Sequence, residues 1–202
     1  MGSSGGGYRV PLFRLAARQG KKITFVGRNT NGPSRVDGVA FPGSHEGYSG
    51  YTIDDSQGRA GITRLVPGAL LASRPHVVLL MIGTNDVGID HELQGAPRRL
   101  AALVDLITRD VPGALLVVAQ IVPSQDDAFN ARARAYNTAI AELVSDRARL
   151  GKHVILADMY SAFVAHPNYR TSLLVDMVHP SDAGYAEMAK VWYGAMTGHN
   201  PR

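Results

Sequence analysis

Short apolar runs alternate along this chain with longer amphipathic stretches. The clearest run is "PHVVLLMIG" at residues 75–83, and "ALLVVAQ" at 114–120 and "HVILAD" at 153–158 repeat the pattern. A strand that is apolar on both faces is typical of a parallel sheet covered by helices on both sides. The run "KITFVG", at residues 22–27, predicts a further short buried strand ahead of these three.

Helical patterns fill the intervals between the runs. Apolar residues recur there at helical spacing, Ser181 is a suitable N-cap, and Gly20 and Gly151 are suitable stops. The predicted helices cover residues 8–19, 98–109, 129–150 and 181–196. The alternation predicts an α/β fold in which a parallel sheet lies between two helical layers. The length of 202 residues predicts a single domain over residues 1–202.

Composition excludes several classes of function. The net charge of +4 comes from Arg and Lys residues scattered along the chain, so no nucleic-acid partner is predicted. The absence of cysteine excludes disulfides, thiolate nucleophiles and Cys-ligated zinc. No stretch has the apolar length of a signal peptide or a membrane helix, so we expect neither in this chain. No glycine-rich phosphate loop opens a helix, which argues against nucleotide binding.

Polar loops follow the predicted strands at their carboxyl ends, where ligands bind in open parallel sheets. After residues 75–83, "GTND" presents Asn85, whose amide can donate to an oxyanion or merely shape an Asx-turn. The loop at residues 28–51 is longer than structureless loops usually are. In it, Gly50 is a second backbone donor at the start of the next helix, or simply a flexible glycine. His45 is a substrate contact or an exposed loop histidine.

The last loop contains "DMVHP", in which Asp176 and His179 are three residues apart. In a turn, this spacing lets the carboxylate accept the imidazole Nδ1–H, which leaves Nε2 free to act as a base. Pro180 keeps His179 out of helical geometry and starts the next helix. The same residues are also common just before the start of a helix. The pair therefore indicates catalysis only when it is considered together with the two earlier loops.

Together, these segments carry a family resemblance. In chain order, "EGYSGYTID", "IGTND" and "DMVHP" resemble the later blocks of the SGNH hydrolases, a branch of the GDSL esterase and lipase superfamily. The chain is most similar to carbohydrate esterase family 3, the acetylxylan esterases, and "GYAEMAKVWY" extends the similarity towards the end of the chain. The resemblance implies a flavodoxin-like three-layer α/β/α domain that removes acetyl groups from polysaccharide. It also implies secretion and no cofactor or metal.

The resemblance also implies roles for individual residues. Carried over position by position, it implies Gly50 and Asn85 as oxyanion-hole donors, His179 as general base and Asp176 as its partner. Tyr51 stands where family members often have Trp, so we expect it to alter substrate contacts and not the chemistry. The implied substrate is a small acyl ester or an acetylated polysaccharide.

The front of the chain departs from the family pattern. The family places its nucleophilic serine in a Gly-Asp-Ser segment after the first strand, and this sequence contains no Gly-Asp-Ser. Ser3 and Ser4 follow no apolar strand, and Ser49 lies in "GYSGY", where Tyr51 breaks the G-x-S-x-G pattern. We therefore expect the nucleophile to be missing. The rival expectation is a non-catalytic carbohydrate-binding protein or an inactive truncated homologue.

The expected loss of the first strand has a structural consequence. In the strand order 2-1-3-4-5, the first strand is central and separates residues 22–27 from residues 75–83. Without it, two strand edges have no partner for their backbone groups. Three outcomes are expected: the edges close on each other, another copy of the chain fills the gap by strand exchange, or the reading frame is truncated.

Overall fold

The computed structural model describes residues 5–89 and 92–198. Within these ranges, the α-helices in chain order are α1 (Arg9–Arg18), α2 (Val66–Ser73), α3 (Thr84–Ile89), α4 (Ala96–Asp110), α5 (Asp127–Arg149), α6 (Met159–Val164), α7 (Tyr169–Ser172) and α8 (Asp182–Thr197). The strands are β1 (Asn29–Thr30), β2 (Arg35–Val36), β3 (Val39–Ala40), β4 (Ser44–His45), β5 (Val77–Leu80), β6 (Leu115–Ala119) and β7 (Val154–Ala157).

The central sheet is parallel and consists of β5, β6 and β7 in that order. Successive residues of β6 point into two different cores. Leu116 and Val118 belong to a core shared with α2, α4 and α5. Val117 and Ala119 belong to a second core shared with α1, α6 and α8. Helices therefore cover both faces of the sheet, and the predicted three-layer α/β/α fold class is confirmed.

Helix ends follow local sequence signals. Ser181 is the N-cap of α8, as predicted, and its hydroxyl accepts a hydrogen bond from the Gly184 N–H at 3.1 Å. The long amphipathic helix predicted at residues 129–150 is α5, which starts slightly earlier because Asp126 accepts from the Phe129 N–H as its N-cap. Helices α3, α6 and α7 are additions to the set that the sequence pattern predicts.

Residues 22–27 do not form a strand, so that prediction is wrong. None of the described residues forms a backbone hydrogen bond with this segment. A strand needs a hydrogen-bonded neighbour, and here a cavity of about 600 Å³ separates the segment from β5, the edge strand of the sheet. The two edges therefore do not close on each other.

The long loop at residues 28–51 is folded into two small antiparallel ladders. Strand β1 pairs with β4, and β2 pairs with β3. Arg9 of α1, which is 7% exposed, anchors the loop because its Nη1 donates to the Gly43 carbonyl at 2.8 Å. The loop is thus held against α1, close to the cavity beside β5.

Candidate active site

Asp176 and His179 form the pair that their spacing predicts. The imidazole Nδ1 lies 2.9 Å from Oδ2 and 3.0 Å from Oδ1 of Asp176. The backbone N–H groups of Val178 and His179 also donate to Oδ1, at 3.0 and 2.9 Å. These bonds, the one from Val178 foremost, lower the pKa of Asp176 from 3.8 to about 2. A carboxylate that is ionised at neutral pH accepts the Nδ1–H and leaves the Nε2 lone pair free.

The turn that carries this pair is tied into the fold by backbone hydrogen bonds. The Val175 N–H donates to the His179 carbonyl at 2.9 Å, which closes the turn. The Gln125 N–H donates to the Met177 carbonyl at 3.0 Å and joins the turn to the loop after β6. The His179 side chain itself is 57% exposed. The pair is therefore fixed in place, while the imidazole remains open to a substrate.

The turn after β5 depends on Gly83. Its φ is +113°, and a Cβ at this position would lie 2.4 Å from the Tyr136 ring. The Tyr136 hydroxyl donates to the Ile82 carbonyl at 3.2 Å, which holds the ring against the turn. Only glycine satisfies both the backbone angle and the close approach. This turn starts α3, on which Asn85 lies.

Asn85 lies against the segment that follows Gly50. Its Nδ2 donates to the Tyr51 carbonyl at 2.8 Å. The Asn85 amide therefore lies next to the residue that follows Gly50. A side-chain amide has two N–H groups, so Asn85 keeps a second donor for a ligand.

Asp86 reinforces this junction, although the sequence interpretation did not single it out. The carboxylate is 1% exposed and accepts from the Ile53 N–H at 3.2 Å and from Arg99 Nη2 at 3.1 Å. Asn85 and Asp86 therefore fix the backbone at residues 51 and 53 through hydrogen bonds. The sequence did offer one signal for Asp86, which is its position next to Asn85 in "GTND". Its partner Arg99 could not be found in this way, because Arg99 lies on another helix and belongs to no recognisable motif.

Gly50 differs in one respect from its prediction. It lies in a turn with φ +77° and not at the start of a helix, because α2 begins only at Val66. Residues between them form turns and isolated bridges instead. Arg59 Nη1 donates to the Gly50 carbonyl at 3.1 Å. Within the described part of the chain, no acceptor pairs with the Gly50 N–H, so this donor is available to a ligand.

His45 and Tyr51 each have partners of their own in the loop at residues 28–51. His45 is half-buried in β4 and accepts from the Gly47 N–H through Nδ1 at 3.0 Å. Burial and the positive charge of Arg9 lower the pKa of His45, so the neutral imidazole is favoured. The Tyr51 ring lies 5.1 Å from the Tyr48 ring at an angle of 39°. The sequence interpretation missed Tyr48, which completes an aromatic pair on this loop.

Serine hydroxyls near the histidine would identify a nucleophile. Among residues 5–89 and 92–198, no hydroxyl forms a hydrogen bond with the His179 imidazole. Ser49 is exposed in the turn before Gly50. Ser3 and Ser4 lie outside the described residues.

Two features of the described residues bear on other functions. No group of three or more metal-ligating side chains is found among them. Of the helices that the structure describes, none combines the length and apolar character needed to cross a lipid bilayer.

The chain matches known sequences and structures over most of its length. The sequence model of the GDSL-like Lipase/Acylhydrolase family matches residues 14–187. A multidomain esterase from Ruminococcus flavefaciens is 31% identical over 215 aligned positions, which cover 96% of this chain. That match covers 26% of the multidomain esterase, so the chain spans about a quarter of the length of that relative.

Two solved structures have similar folds. The family 3 carbohydrate esterase of Clostridium thermocellum superimposes with a TM-score of 0.78 at 31% identity, covering 96% of this chain and 89% of that one. A family 3 carbohydrate esterase from Talaromyces cellulolyticus gives a TM-score of 0.76 at 24% identity, covering 92% and 87%. At 24% identity, the similarity to the Talaromyces cellulolyticus structure supports a shared fold and nothing further.

Proposed function

The chain belongs to the GDSL-like lipase/acylhydrolase family, and from this premise we propose that its site performs acyl transfer on acetyl esters of carbohydrate. One observation carries the proposal: the Asp176 carboxylate accepts the Nδ1–H of an imidazole whose other nitrogen is free and solvent-accessible. This is the arrangement of a general base and the group that orients it.

In the proposed reaction, a serine hydroxyl attacks the ester carbonyl while His179 Nε2 takes its proton. The negative charge that develops on the carbonyl oxygen is stabilised by the Gly50 N–H and the second N–H of Asn85. His179 then returns the proton to the leaving alcohol, and a water repeats the sequence to release acetate. Asp176 remains ionised throughout, because its charge stabilises the imidazolium that forms.

The substrate class is proposed from two lines of support. The Clostridium thermocellum structure that resembles this chain is a carbohydrate esterase. In this chain, the Tyr48 and Tyr51 rings lie 5.1 Å apart on the loop that bears Gly50, and half-buried His45 belongs to the same loop. Aromatic faces with a polar rim suit a sugar ring, whose C–H groups pack on the rings while its hydroxyls bond the rim.

We also propose that the nucleophilic serine is not one of the described residues. No hydroxyl in these ranges bonds His179, and the sequence contains no Gly-Asp-Ser. The same observation favours a second candidate function, in which the domain binds acetylated carbohydrate without hydrolysing it.

Measured ester hydrolysis distinguishes the two candidate functions, catalysis and binding without hydrolysis. We expect the chain as printed to hydrolyse 4-nitrophenyl acetate only slightly above background. His179→Ala should change this rate no more than His153→Ala, an exposed histidine at the opposite edge of the sheet. An ordinary esterase rate that His179→Ala abolishes would place the nucleophile inside the chain.

Ligand affinity tests the proposed substrate class. We expect acetylated xylo-oligosaccharide to bind more tightly than the deacetylated oligosaccharide, because the acetyl carbonyl reaches Asn85 and Gly50. Tyr51→Ala should weaken binding, whereas Tyr51→Phe keeps the ring and should not. Equal affinity for both oligosaccharides, or no binding at all, would contradict carbohydrate acetyl esters as the substrate.

A further inference from the structure

Arg59 lies directly against Gly50, one of the two proposed oxyanion donors. Its Nη1 donates to the Gly50 carbonyl at 3.1 Å. The same atom would lie 3.4 Å from a Cβ at position 50, so the guanidinium occupies the space beside the glycine backbone. Arg59 is an exposed residue, and within the described ranges it forms no ion pair with a carboxylate. The backbone of Gly50 is therefore the partner of this cation.

A tight turn fixes the backbone from which the Arg59 side chain extends. The Ser56 N–H donates to the Arg59 carbonyl at 3.0 Å, and the Arg59 N–H donates to the Ser56 carbonyl at 2.8 Å. The two residues between them, Gln57 and Gly58, have φ values of +44° and +74°. Positive φ at both central residues is the pattern of a two-residue type I′ turn. The Arg59 Cα therefore has a defined position.

Backbone hydrogen bonds join this turn to the segment that follows Gly50. The Thr52 N–H donates to the Ala60 carbonyl at 3.1 Å, and the Ile62 N–H donates to the Thr52 carbonyl at 3.0 Å. Thr52 is 0% exposed, so these bonds are shielded from water. Because Ala60 directly follows Arg59, they hold the base of the arginine side chain beside the Gly50 segment.

Gly50 itself has few other restraints. Within the described ranges, its carbonyl accepts only from Arg59, and no acceptor pairs with its N–H. Its φ of +77° is readily adopted by glycine, but glycine also adopts most other backbone angles at little cost. The bond from Arg59 therefore removes a conformational freedom that this residue would otherwise keep. It also limits the directions in which the Gly50 N–H can point.

We propose that Arg59 is a positioning residue for the acyl-transfer site: its guanidinium holds the Gly50 carbonyl and thereby fixes the direction of the Gly50 N–H. A donor that is already aimed at the developing oxyanion stabilises it without reorganising during the reaction. The role of this N–H in catalysis rests on the proposed function, whereas the restraint on Gly50 does not.

Three variants separate the hydrogen bond from other effects of the side chain. Arg59→Lys keeps a cationic donor on a long stem, whereas Arg59→Met keeps an unbranched stem without a donor. The control is Arg64→Met, which removes another exposed guanidinium from the same segment, 3.6 Å from Asp55. Since both positions are exposed, all three variants are expected to fold, and circular dichroism checks that they do.

The order of the Gly50 amide tests the restraint without any ligand, and nitrogen-15 relaxation of the full chain measures it. We expect an order parameter of about 0.85, typical of rigid backbone, in the native chain and in Arg64→Met. In Arg59→Met it should fall below about 0.6. Arg59→Lys should restore most of the order, because its ammonium can donate to the same carbonyl. A substitution that affected only overall stability would leave this amide ordered in the folded protein.

Affinity for an acetyl ester tests the purpose of the restraint. The probes are acetylated xylo-oligosaccharide and the deacetylated oligosaccharide, which are both uncharged, so the positive charge of an arginine favours neither. We expect the native chain to bind the acetylated form more tightly. Arg59→Met should reduce this preference about three- to tenfold, the effect expected for the loss of one hydrogen bond. Arg59→Lys and Arg64→Met should leave the preference unchanged.

Three outcomes would overturn the proposal. The first is a Gly50 amide that is as ordered in Arg59→Met as in the native chain, which would show that Arg59 does not restrain it. The second is a disordered Gly50 in Arg59→Met with an unchanged acetyl preference, which would show that the direction of this N–H is not used. The third is a native chain without any acetyl preference. That result would overturn the proposed function and the role of Arg59 in it, while the order of Gly50 would still show whether Arg59 restrains the loop.

Discussion

Gly83 fixes the turn between β5 and the helix that carries Asn85. Its positive φ and the Tyr136 ring 2.4 Å from the position of a Cβ exclude any side chain. We predict that Gly83→Ala lowers the free energy of unfolding by about 2–4 kcal/mol, because the ring must move out of a closely packed core. Urea denaturation measures the change. Gly113→Ala is the matched control, since a Cβ at Gly113 meets nothing within 4 Å and should leave stability within about 1 kcal/mol. Equal effects would show that the turn has room for a side chain.

Asp176 makes a pH-dependent contribution to the turn around His179. Its pKa falls from 3.8 to about 2 in the folded protein, chiefly through the bond from the Val178 N–H. A carboxyl whose pKa is lowered by folding stabilises the fold above its unfolded value, and this contribution disappears as the pH falls through the folded value.

We therefore predict that the stability difference between the native chain and Asp176→Asn is complete above pH 4. It should shrink between pH 4 and pH 2. Urea unfolding at several pH values measures it. A difference that stays constant over this interval would mean that the carboxylate is not held by these bonds.

At the scale of elements, a buried ion pair joins α3 to α4 and also bonds the segment that contains Ile53. Asp86 of α3 bonds both Arg99 of α4 and the backbone of Ile53, and the Arg99 side chain is only 16% exposed. We predict that Asp86→Asn costs about 3 kcal/mol, since it leaves a mostly buried guanidinium without its counter-charge. It should also speed hydrogen exchange at Ile53.

Asp146→Asn is the control for this prediction, because it removes one partner of an exposed ion pair with Arg149. Such pairs contribute about 0–1 kcal/mol. If the two variants lower stability by the same amount, Asp86 does not connect α3, α4 and the backbone at Ile53 in the way that its contacts indicate.

Elements were predictable where the deciding contacts are local. The Ser181 N-cap and the Asp176–His179 pair each depend on residues three positions apart, and both contacts are found as predicted. Residues 22–27 have the composition of a strand, but strand formation depends on a neighbour that the pattern of this segment does not contain. The role of Arg99 was hidden for the same reason, because its partner Asp86 is 13 positions away and belongs to another element.

At the scale of the whole molecule, the order of apolar runs was enough to predict a parallel sheet between helical layers. The runs at residues 75–83, 114–120 and 153–158 became β5, β6 and β7. The pattern was sufficient because burial on both faces imposes continuous apolar runs, which ordinary surface strands lack. The cavity between residues 22–27 and β5 follows from the arrangement of several elements at once, and only the three-dimensional structure shows it.

The central claim is the proposal that this chain holds the base and the oxyanion donors of an esterase, and that none of its described serines is the nucleophile. The most direct test adds an N-terminal apolar strand ending in Gly-Asp-Ser and measures acetyl ester hydrolysis. We predict a rate at least ~10³-fold above that of the unextended chain. The same extension ending in Gly-Asp-Ala should raise the melting temperature equally without restoring turnover, because it can pair with β5 and with residues 22–27 but lacks the hydroxyl. The claim would be contradicted if the serine extension stabilised the fold without activity, or if the unextended chain already had an ordinary esterase rate that His179→Ala abolished.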